Sequence, residues 1–220
     1  GVGFRGGGCI GWGRGKMAEK KRRVGILGGT FDPIHVGHLM TAEAVRNEYH
    51  LEKVIFIPAA IPPHKQGQKV TPAIHRFMMT VQATCTNPYI EEPSLEMNRP
   101  GPSYTIDTIY ELVHRFGNDT DFYFITGADA IQEIPTWDRI EELLGLCQFI
   151  AATRQGCVPN VDNIKEYFGE LGEKRIHRLA TPELEISSTD IRERIKKGYS
   201  IKYIVPTAVE QYIYKEGLYK

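Results

Sequence analysis

The stretch that decides the fold is VGILGGTFDPIHVGH, Val24 to His38. It opens with a short apolar run typical of a buried strand, passes through Gly28 and Gly29, and ends in two histidines spaced H-x-G-H before a helical pattern. Paired glycines let the backbone approach a ligand closely. The following helix points its free N–H groups and the positive end of its dipole at the same place. This junction therefore favours an anion, and a phosphate in particular.

Beyond this junction, apolar runs alternate with helical patterns. The apolar runs predict strands at Val24–Leu27, Val54–Ile57, Asp121–Thr126, Gln148–Ala152 and Arg175–Leu179, with short candidate strands at Tyr89–Ile90 and Ser94–Met97. The helical patterns predict helices at His38–His50, Ala73–Thr84, Tyr104–Phe116, Asp138–Leu144, Asn160–Leu171, Ser187–Lys197 and Pro206–Glu216. The alternation predicts an α/β fold: a Rossmann-like, doubly wound, mostly parallel sheet with helices on both faces and a C-terminal helical segment.

Composition narrows the function classes. The chain has 220 residues, with 27 basic and 27 acidic side chains. This balance gives no support for a nucleic-acid partner or for a polybasic membrane anchor, and no apolar run is long enough to span a bilayer. The four cysteines form no C-x-x-C pair, so we expect reduced thiols in a cytoplasmic protein and no zinc site. A homodimer is compatible with the sequence, which does not determine the oligomeric state.

The first sixteen residues, GVGFRGGGCIGWGRGK, differ from the rest in being rich in glycine and without periodicity. They precede Met17 and lack the apolar core and cleavage site of a signal peptide. We expect residues 1–16 to be a non-native or disordered leader and residues 17–220 to form a single domain.

The histidines distinguish the first junction from common phosphate motifs. Its glycines fit neither the G-x-G-x-x-G fingerprint nor a Walker A loop, and no lysine follows them. His35 and His38 are three residues apart at the helix start, so they can lie on one face, where imidazolium groups can hold phosphate oxygens and stabilise developing charge. For either histidine alone, a surface or capping role is the simpler interpretation. A zinc pair has no third ligand nearby.

A second candidate element is ISSTDIRERI, Ile186 to Ile195. Ser187 or Ser188 can cap a helix, and Asp190 stands at capping-box spacing from Ser187. The hydroxyl groups and free N–H groups of Ser188 and Thr189, with Arg192 one turn later, suit phosphate oxygens. The alternative is an ordinary capped helix with a surface arginine.

These residues carry a family resemblance. GGTFDPIHVGH resembles the signature of the HIGH-type nucleotidyltransferases, and ISSTDIRERI resembles their second element, S/T-S/T-x-x-R. Three further stretches resemble the bacterial nicotinate-nucleotide adenylyltransferases of NAD synthesis: IPPHK (61–65), RPGPSYTIDT (99–108) and GADAIQEIPTWDRIEELL (127–144).

The resemblance implies a set of site residues. The catalytic groups would be His35, His38 and Arg192. ATP would be bound by Gly28, Gly29, Thr30, Phe31, Gly37, Ser188 and Thr189. The nicotinate nucleotide would be bound by Lys65 (or His64), Ser103, Tyr104, Thr105, Gly127, Asp129 and Trp137. The helix start near Tyr104 would hold the pyridine carboxylate, and Trp137 would stack on the ring. Trp137 as a core residue is the alternative.

The resemblance also implies a reaction: transfer of the adenylyl group of ATP to nicotinate mononucleotide, giving deamido-NAD and pyrophosphate. Mg²⁺ would be held mainly by the ATP phosphates and water, with no protein metal site. The alternatives are a nicotinamide-mononucleotide or pantetheine-phosphate adenylyltransferase, a cytidylyltransferase, and a non-catalytic nucleotide-binding domain.

Overall fold

The computed structural model describes residues 20–59, 69–92, 104–153, 158–182 and 185–220, the side chains of 128, 129 and 158–160 excepted. The predicted leader, the candidate strand Ser94–Met97, and site residues His64, Lys65 and Ser103 lie outside the described residues. In the described part, the helices are too short or too polar to cross a bilayer.

The strands form one parallel sheet in the order β3-β2-β1-β4-β5-β6. The strands are β1 (Arg22–Gly29), β2 (Lys53–Pro58), β3 (Ile90–Glu91), β4 (Thr120–Gly127), β5 (Gln148–Thr153) and β6 (Ile176–Ala180). In the central registers, Ile26 of β1 pairs with Ile55 on one side and with Phe124 on the other. The chain winds outward from β1 in one direction and from β4 in the other, so the topological switch point lies between these two strands.

Helices cover both faces of the sheet. They are α1 (Val36–Glu48), α2 (Ala73–Thr84), α3 (Thr105–Phe116), α4 (Ala128–Ile131), α5 (Ile140–Leu146), α6 (Val158–Tyr167), α7 (Gly169–Arg175), α8 (Ser188–Lys196) and α9 (Thr207–Glu216). Successive strand residues point to opposite faces, which explains the continuous apolar runs. Ile26 and Phe124 pack in the core beneath α3 to α6, whereas Leu27 and Ile125 pack in the core beneath α1, α2, α8 and α9. The predicted doubly wound architecture is confirmed.

Two regions differ from the predicted elements. The single helix predicted at Asn160–Leu171 was wrong: α6 and α7 are separate, and Gly169, the first residue of α7, has φ of 61°, a left-handed conformation. The periodic pattern runs through this break, which hides it. The segment between β4 and α5 also contains α4 and a 3₁₀ turn at Ile134–Thr136, neither of which was predicted.

Cys147 and Cys85 differ in burial. Cys147 is buried, and burial raises the pKa of its thiol to about 12. Cys85 is exposed. Both are free thiols.

Candidate active site

A cavity of about 360 Å³ opens at the switch point, where β1 and β4 end. In open α/β sheets, this crevice beyond the carboxyl ends of the strands is the usual ligand position. The residues lining the cavity include Gly28, Gly29, Thr30, His38, Thr105, Gly127 and Trp137. The structure thus brings together seven of the residues predicted to bind the two substrates, from three separate stretches of sequence.

The first helix of the fold, α1, is capped by the two predicted histidines. Nδ1 of His35 accepts a hydrogen bond from the Gly37 backbone N–H at 3.0 Å, and Nδ1 of His38 accepts one from the His35 backbone N–H at 3.1 Å. The two rings stack with their centroids 3.8 Å apart. Because Nδ1 of each ring is an acceptor, the proton of each neutral ring lies on Nε2. Capping therefore uses Nδ1 of each ring and leaves the Nε2–H out of the cap.

Neither histidine carries a charge at neutral pH. Burial lowers the pKa of His35 to about 4. Burial, together with the neighbouring His35, lowers the pKa of His38 to about 3. The sequence analysis expected charged imidazolium groups, whereas burial favours the neutral ring of both histidines. His38 lines the cavity and keeps its proton on Nε2, while His35 is buried.

Close packing fixes these rings. Phe31, which is buried with φ of 50°, meets the His38 ring edge-on at 5.0 Å and stacks on Phe56 at 5.7 Å. A Cβ at Gly37 would lie 2.8 Å from Cε1 of His35. Phe31 and Gly37 were predicted as nucleotide contacts, and neither lines the cavity. Phe31 instead contacts the ring of His38, and Gly37 lies against the ring of His35.

The second candidate element docks on the first. Ser187 caps α8, its side chain accepting from the Asp190 N–H at 3.0 Å, whereas the Asp190 carboxylate pairs with Arg194, so the predicted capping box is only half formed. The Ser188 hydroxyl donates to the Pro33 carbonyl at 2.8 Å.

Arg192 also faces the loop between β1 and α1. Its guanidinium donates to the Asp32 backbone carbonyl at 2.7 Å and to the Thr189 hydroxyl oxygen at 3.2 Å. Ser188, Thr189 and Arg192 lie outside the cavity lining. The structure therefore joins the two motifs through Asp32 and Pro33.

Sequence reasoning missed the group behind this loop. Asp32 is buried, and its carboxylate accepts from the Thr71 N–H at 3.1 Å and from the Tyr219 hydroxyl. Arg76 is also buried and donates to the backbone carbonyls of Thr71, at 2.7 Å, Thr30, at 3.1 Å, and Ala59. No local pattern marks these residues, because their partners are distant in sequence.

The far side of the cavity is formed by α3 and the segment after β4. Tyr104 is the exposed N-cap residue of α3, and its side chain forms no capping hydrogen bond. Thr105 is the first residue of α3 and lines the cavity. Trp137 is half-buried: its ring meets Phe124 edge-on at 5.5 Å and lies 6.0 Å from Phe149. It thus contacts the core and also lines the cavity. Gly127 is exposed at the start of α4, and the structure does not describe the Asp129 side chain.

Comparison with known proteins agrees with this geometry. Residues 26–194 match the model of the cytidylyltransferase-like family, a span that contains the first motif, GGTFDPIHVGH, and Ser188 to Arg192 of the second. A protein of Thermoanaerobacter sp. (strain X514), described as a probable nicotinate-nucleotide adenylyltransferase, is 52% identical over 92% of this chain and 96% of its own length. A relative of the same description from Moorella thermoacetica is 52% identical over 93% of this chain and 94% of its own length.

The chain belongs to the nicotinate-nucleotide adenylyltransferase family. Its fold is also that of the Plasmodium falciparum nicotinic acid mononucleotide adenylyltransferase complexed with NaAD, with a TM-score of 0.75 at 24% identity, covering 90% of this chain and 97% of that one. The family resemblance predicted from the sequence is confirmed, and the chain is a nucleotidyltransferase.

Proposed function

We propose that this member of the adenylyltransferase family transfers the adenylyl group of ATP to nicotinate mononucleotide, forming deamido-NAD and pyrophosphate in NAD biosynthesis. The observation that carries the proposal is the cavity at the switch point. It unites the β1–α1 junction with the start of α3 and with Trp137. A nucleotidyltransferase that joins two nucleotides needs a phosphate site next to a site for the acceptor. The relatives of this chain share the same described activity.

In this mechanism, an oxygen of the acceptor's 5′-phosphate attacks the α-phosphorus of ATP. A bond forms from that oxygen to phosphorus, and the bond from phosphorus to the bridging oxygen breaks, releasing pyrophosphate. The phosphate dianion is already a nucleophile, so no general base is required. Catalysis then consists of positioning and of stabilising charge on the phosphate oxygens.

The triphosphate side is assigned to the two motifs. The N-terminus of α1, with Gly28, Gly29 and Thr30, faces the phosphates, and the Nε2–H of His38 donates to a phosphate oxygen. His35 supports His38 by stacking. Arg192, with Ser188 and Thr189 at the N-terminus of α8, neutralises the leaving pyrophosphate. The closeness of Arg192 to Asp32 supports this assignment, because it places the guanidinium beside the β1–α1 loop.

The acceptor side is assigned to α3 and the loop after β4. Free N–H groups at Thr105, near Ser103 and Tyr104, hold the pyridine carboxylate, which a helix N-terminus can do without an arginine. Trp137 stacks on the ring. Gly127 and Asp129 hold the ribose, and Lys65 holds a phosphate.

Mg²⁺ is proposed to enter with ATP, held by phosphate oxygens and water. Within the described ranges, no three His, Cys, Asp or Glu side chains group closely enough to hold a metal ion. A cytoplasmic location and a single domain over residues 17–220 also remain proposals.

The test compares three acceptors: nicotinate mononucleotide, nicotinamide mononucleotide and phosphopantetheine, each with ATP and Mg²⁺. Pyrophosphate release is measured continuously for each. We expect the highest kcat/KM with nicotinate mononucleotide. Preference for another acceptor would retain the adenylyltransferase chemistry and overturn the assignment of α3 and Trp137. Absence of release with any acceptor, in folded protein, would favour a non-catalytic nucleotide-binding domain.

A further inference from the structure

The segment that follows α9 reaches the loop between β1 and α1. Tyr219 lies in this segment, partly buried, with φ of 64° in the left-handed region. Its hydroxyl donates a hydrogen bond to Oδ1 of Asp32, 187 residues earlier in the chain. A side chain from the last segment of the sequence thus contacts the first motif.

Asp32 is held on two sides. Oδ1 of its carboxylate accepts from Tyr219, and Oδ2 accepts from the Thr71 backbone N–H at 3.1 Å. The carboxylate is buried and its charge acts on the buried guanidinium of Arg76. Burial and the charge of Asp32 both raise the pKa of Tyr219, so the hydroxyl keeps its proton and remains a donor at any pH of interest. These two bonds fix the orientation of the Asp32 side chain.

The backbone of the same residue holds Arg192. The Asp32 carbonyl accepts from the guanidinium at 2.7 Å, and the neighbouring Pro33 carbonyl accepts from the Ser188 hydroxyl at 2.8 Å. Asp32 therefore contacts Arg192 of α8 through its backbone and Tyr219 through its side chain. The bonds from Tyr219 and Thr71 therefore restrain the residue whose backbone carbonyl Arg192 contacts.

We propose that Tyr219 is a positioning residue for adenylyl transfer, which acts through Asp32 to set the guanidinium of Arg192 against the triphosphate of ATP. This inference rests on the proposed function, and in particular on the assignment of Arg192 to the triphosphate. Tyr219 itself touches no substrate. Loss of its hydroxyl weakens the binding of ATP and leaves the binding of the acceptor, on the side formed by α3 and Trp137, unchanged.

The chain offers a matched control. The hydroxyl of Tyr212 in α9 forms a hydrogen bond with Nδ1 of His75 at 2.7 Å, and the tautomer of His75 sets its direction. Tyr212 and Tyr219 both pack against the core beneath α1, α2, α8 and α9. Tyr219→Phe and Tyr212→Phe each remove one hydroxyl from this region, but only the first hydroxyl contacts Asp32.

The experiment measures ATP binding by equilibrium dialysis, the KM of each substrate, kcat and the thermal midpoint for wild type and both variants. We expect Tyr219→Phe to lower kcat/KM for ATP by roughly tenfold or more, the scale of a small misplacement of a binding group, with the KM of nicotinate mononucleotide unchanged. Tyr212→Phe should leave the ATP kinetics unchanged. Unaltered ATP binding and kinetics in folded Tyr219→Phe, or an equal kinetic loss in both variants, would overturn the proposal.

A double-mutant cycle then tests the route. If Tyr219 acts through Arg192, Tyr219→Phe should weaken ATP binding much less in an Arg192→Ala background than in wild type. An equal loss in both backgrounds would overturn the proposed route. Wild type that binds ATP with this dependence on Tyr219, yet fails to adenylate the acceptor, would contradict the proposed function and retain the route from Tyr219 through Asp32 and Arg192 to bound ATP. Wild type that does not bind ATP would overturn both.

Discussion

His35 and His38 cap α1 through one nitrogen of each ring. Nδ1 of each ring accepts a backbone hydrogen bond, the Nε2–H takes no part in the cap, and His38 also lines the cavity. A neutral N–H donor carries no formal charge, so under the proposed function the positive charge beside the triphosphate would come from Arg192 and the helix dipole. The pair is therefore a structural cap that also presents a donor.

His38→Ala should separate these two functions. Loss of the donor should lower kcat by about 100-fold or more, the scale for one group that stabilises transition-state charge. Loss of the cap should lower the free energy of unfolding by only about 1 kcal/mol. Steady-state kinetics and urea denaturation measure the two effects. A kcat close to the wild-type value in folded protein would contradict the assignment of His38.

The pH dependence of stability follows from the buried ring of His35. Its pKa is lowered to about 4, below the unfolded value of 6.5, so the unfolded chain binds more protons between these values. The stability contribution is complete above pH 6.5 and is lost as the pH falls towards about 4, by up to about 1.4 kcal/mol per pH unit. Denaturation of wild type and His35→Asn at pH 7 and pH 5 tests this. The difference in stability between the two proteins should shrink at pH 5, and an identical pH dependence would contradict it.

At the scale of elements, the close approach of α6 and α7 depends on a glycine. A Cβ at Gly172 of α7 would lie 2.3 Å from the backbone oxygen of Lys165 in α6. At Gly145 of α5, a Cβ would meet nothing within 4 Å. We therefore expect substitution by alanine to have opposite effects on stability at these two helical glycines.

Gly172→Ala should destabilise the protein by about 1–3 kcal/mol, because the backbones must separate. Gly145→Ala should be neutral or stabilise it by about 0.5 kcal/mol through helix propensity. Chemical denaturation of both variants measures the difference. If Gly172→Ala were as stable as Gly145→Ala, the packing of α6 on α7 would not be as described.

The elements were predictable where one local pattern dominates. β1, β2, β4 and β5 are apolar on both faces, and their runs mark them clearly. The break at Gly169 was not predictable in the same way, because apolar residues keep helical spacing across it. The two histidines were found from their spacing, but their neutral state depends on burial, which no spacing shows.

At the scale of the whole molecule, buried polar groups tie the site to the rest of the fold. Arg76 joins the backbone at Ala59 and Thr71, on either side of residues 60–68, to Thr30 of the first motif. Asp32 joins this group to Thr71, Arg192 and Tyr219. Such contacts between residues far apart in sequence leave no periodic signal, which is why Arg76 and Tyr219 escaped sequence analysis.

Arg76→Met should show the importance of this group. It leaves buried carbonyl groups and the Asp32 carboxylate without their cation, so we expect a loss of about 3 kcal/mol or more in the free energy of unfolding. The control is Arg194→Met, which breaks an exposed pair with Asp190 and should cost no more than about 0.5 kcal/mol. Urea denaturation compares the variants, and equal losses would contradict the role given to Arg76.

The central claim is that the α-phosphorus of ATP is the atom attacked. The most direct measurement uses ATP carrying a radiolabel on either the α- or the γ-phosphorus, incubated with nicotinate mononucleotide, Mg²⁺ and the enzyme. The account predicts that the α label appears in deamido-NAD and the γ label in pyrophosphate. Transfer of the γ label to the acceptor, or its release as inorganic phosphate, would contradict adenylyl transfer.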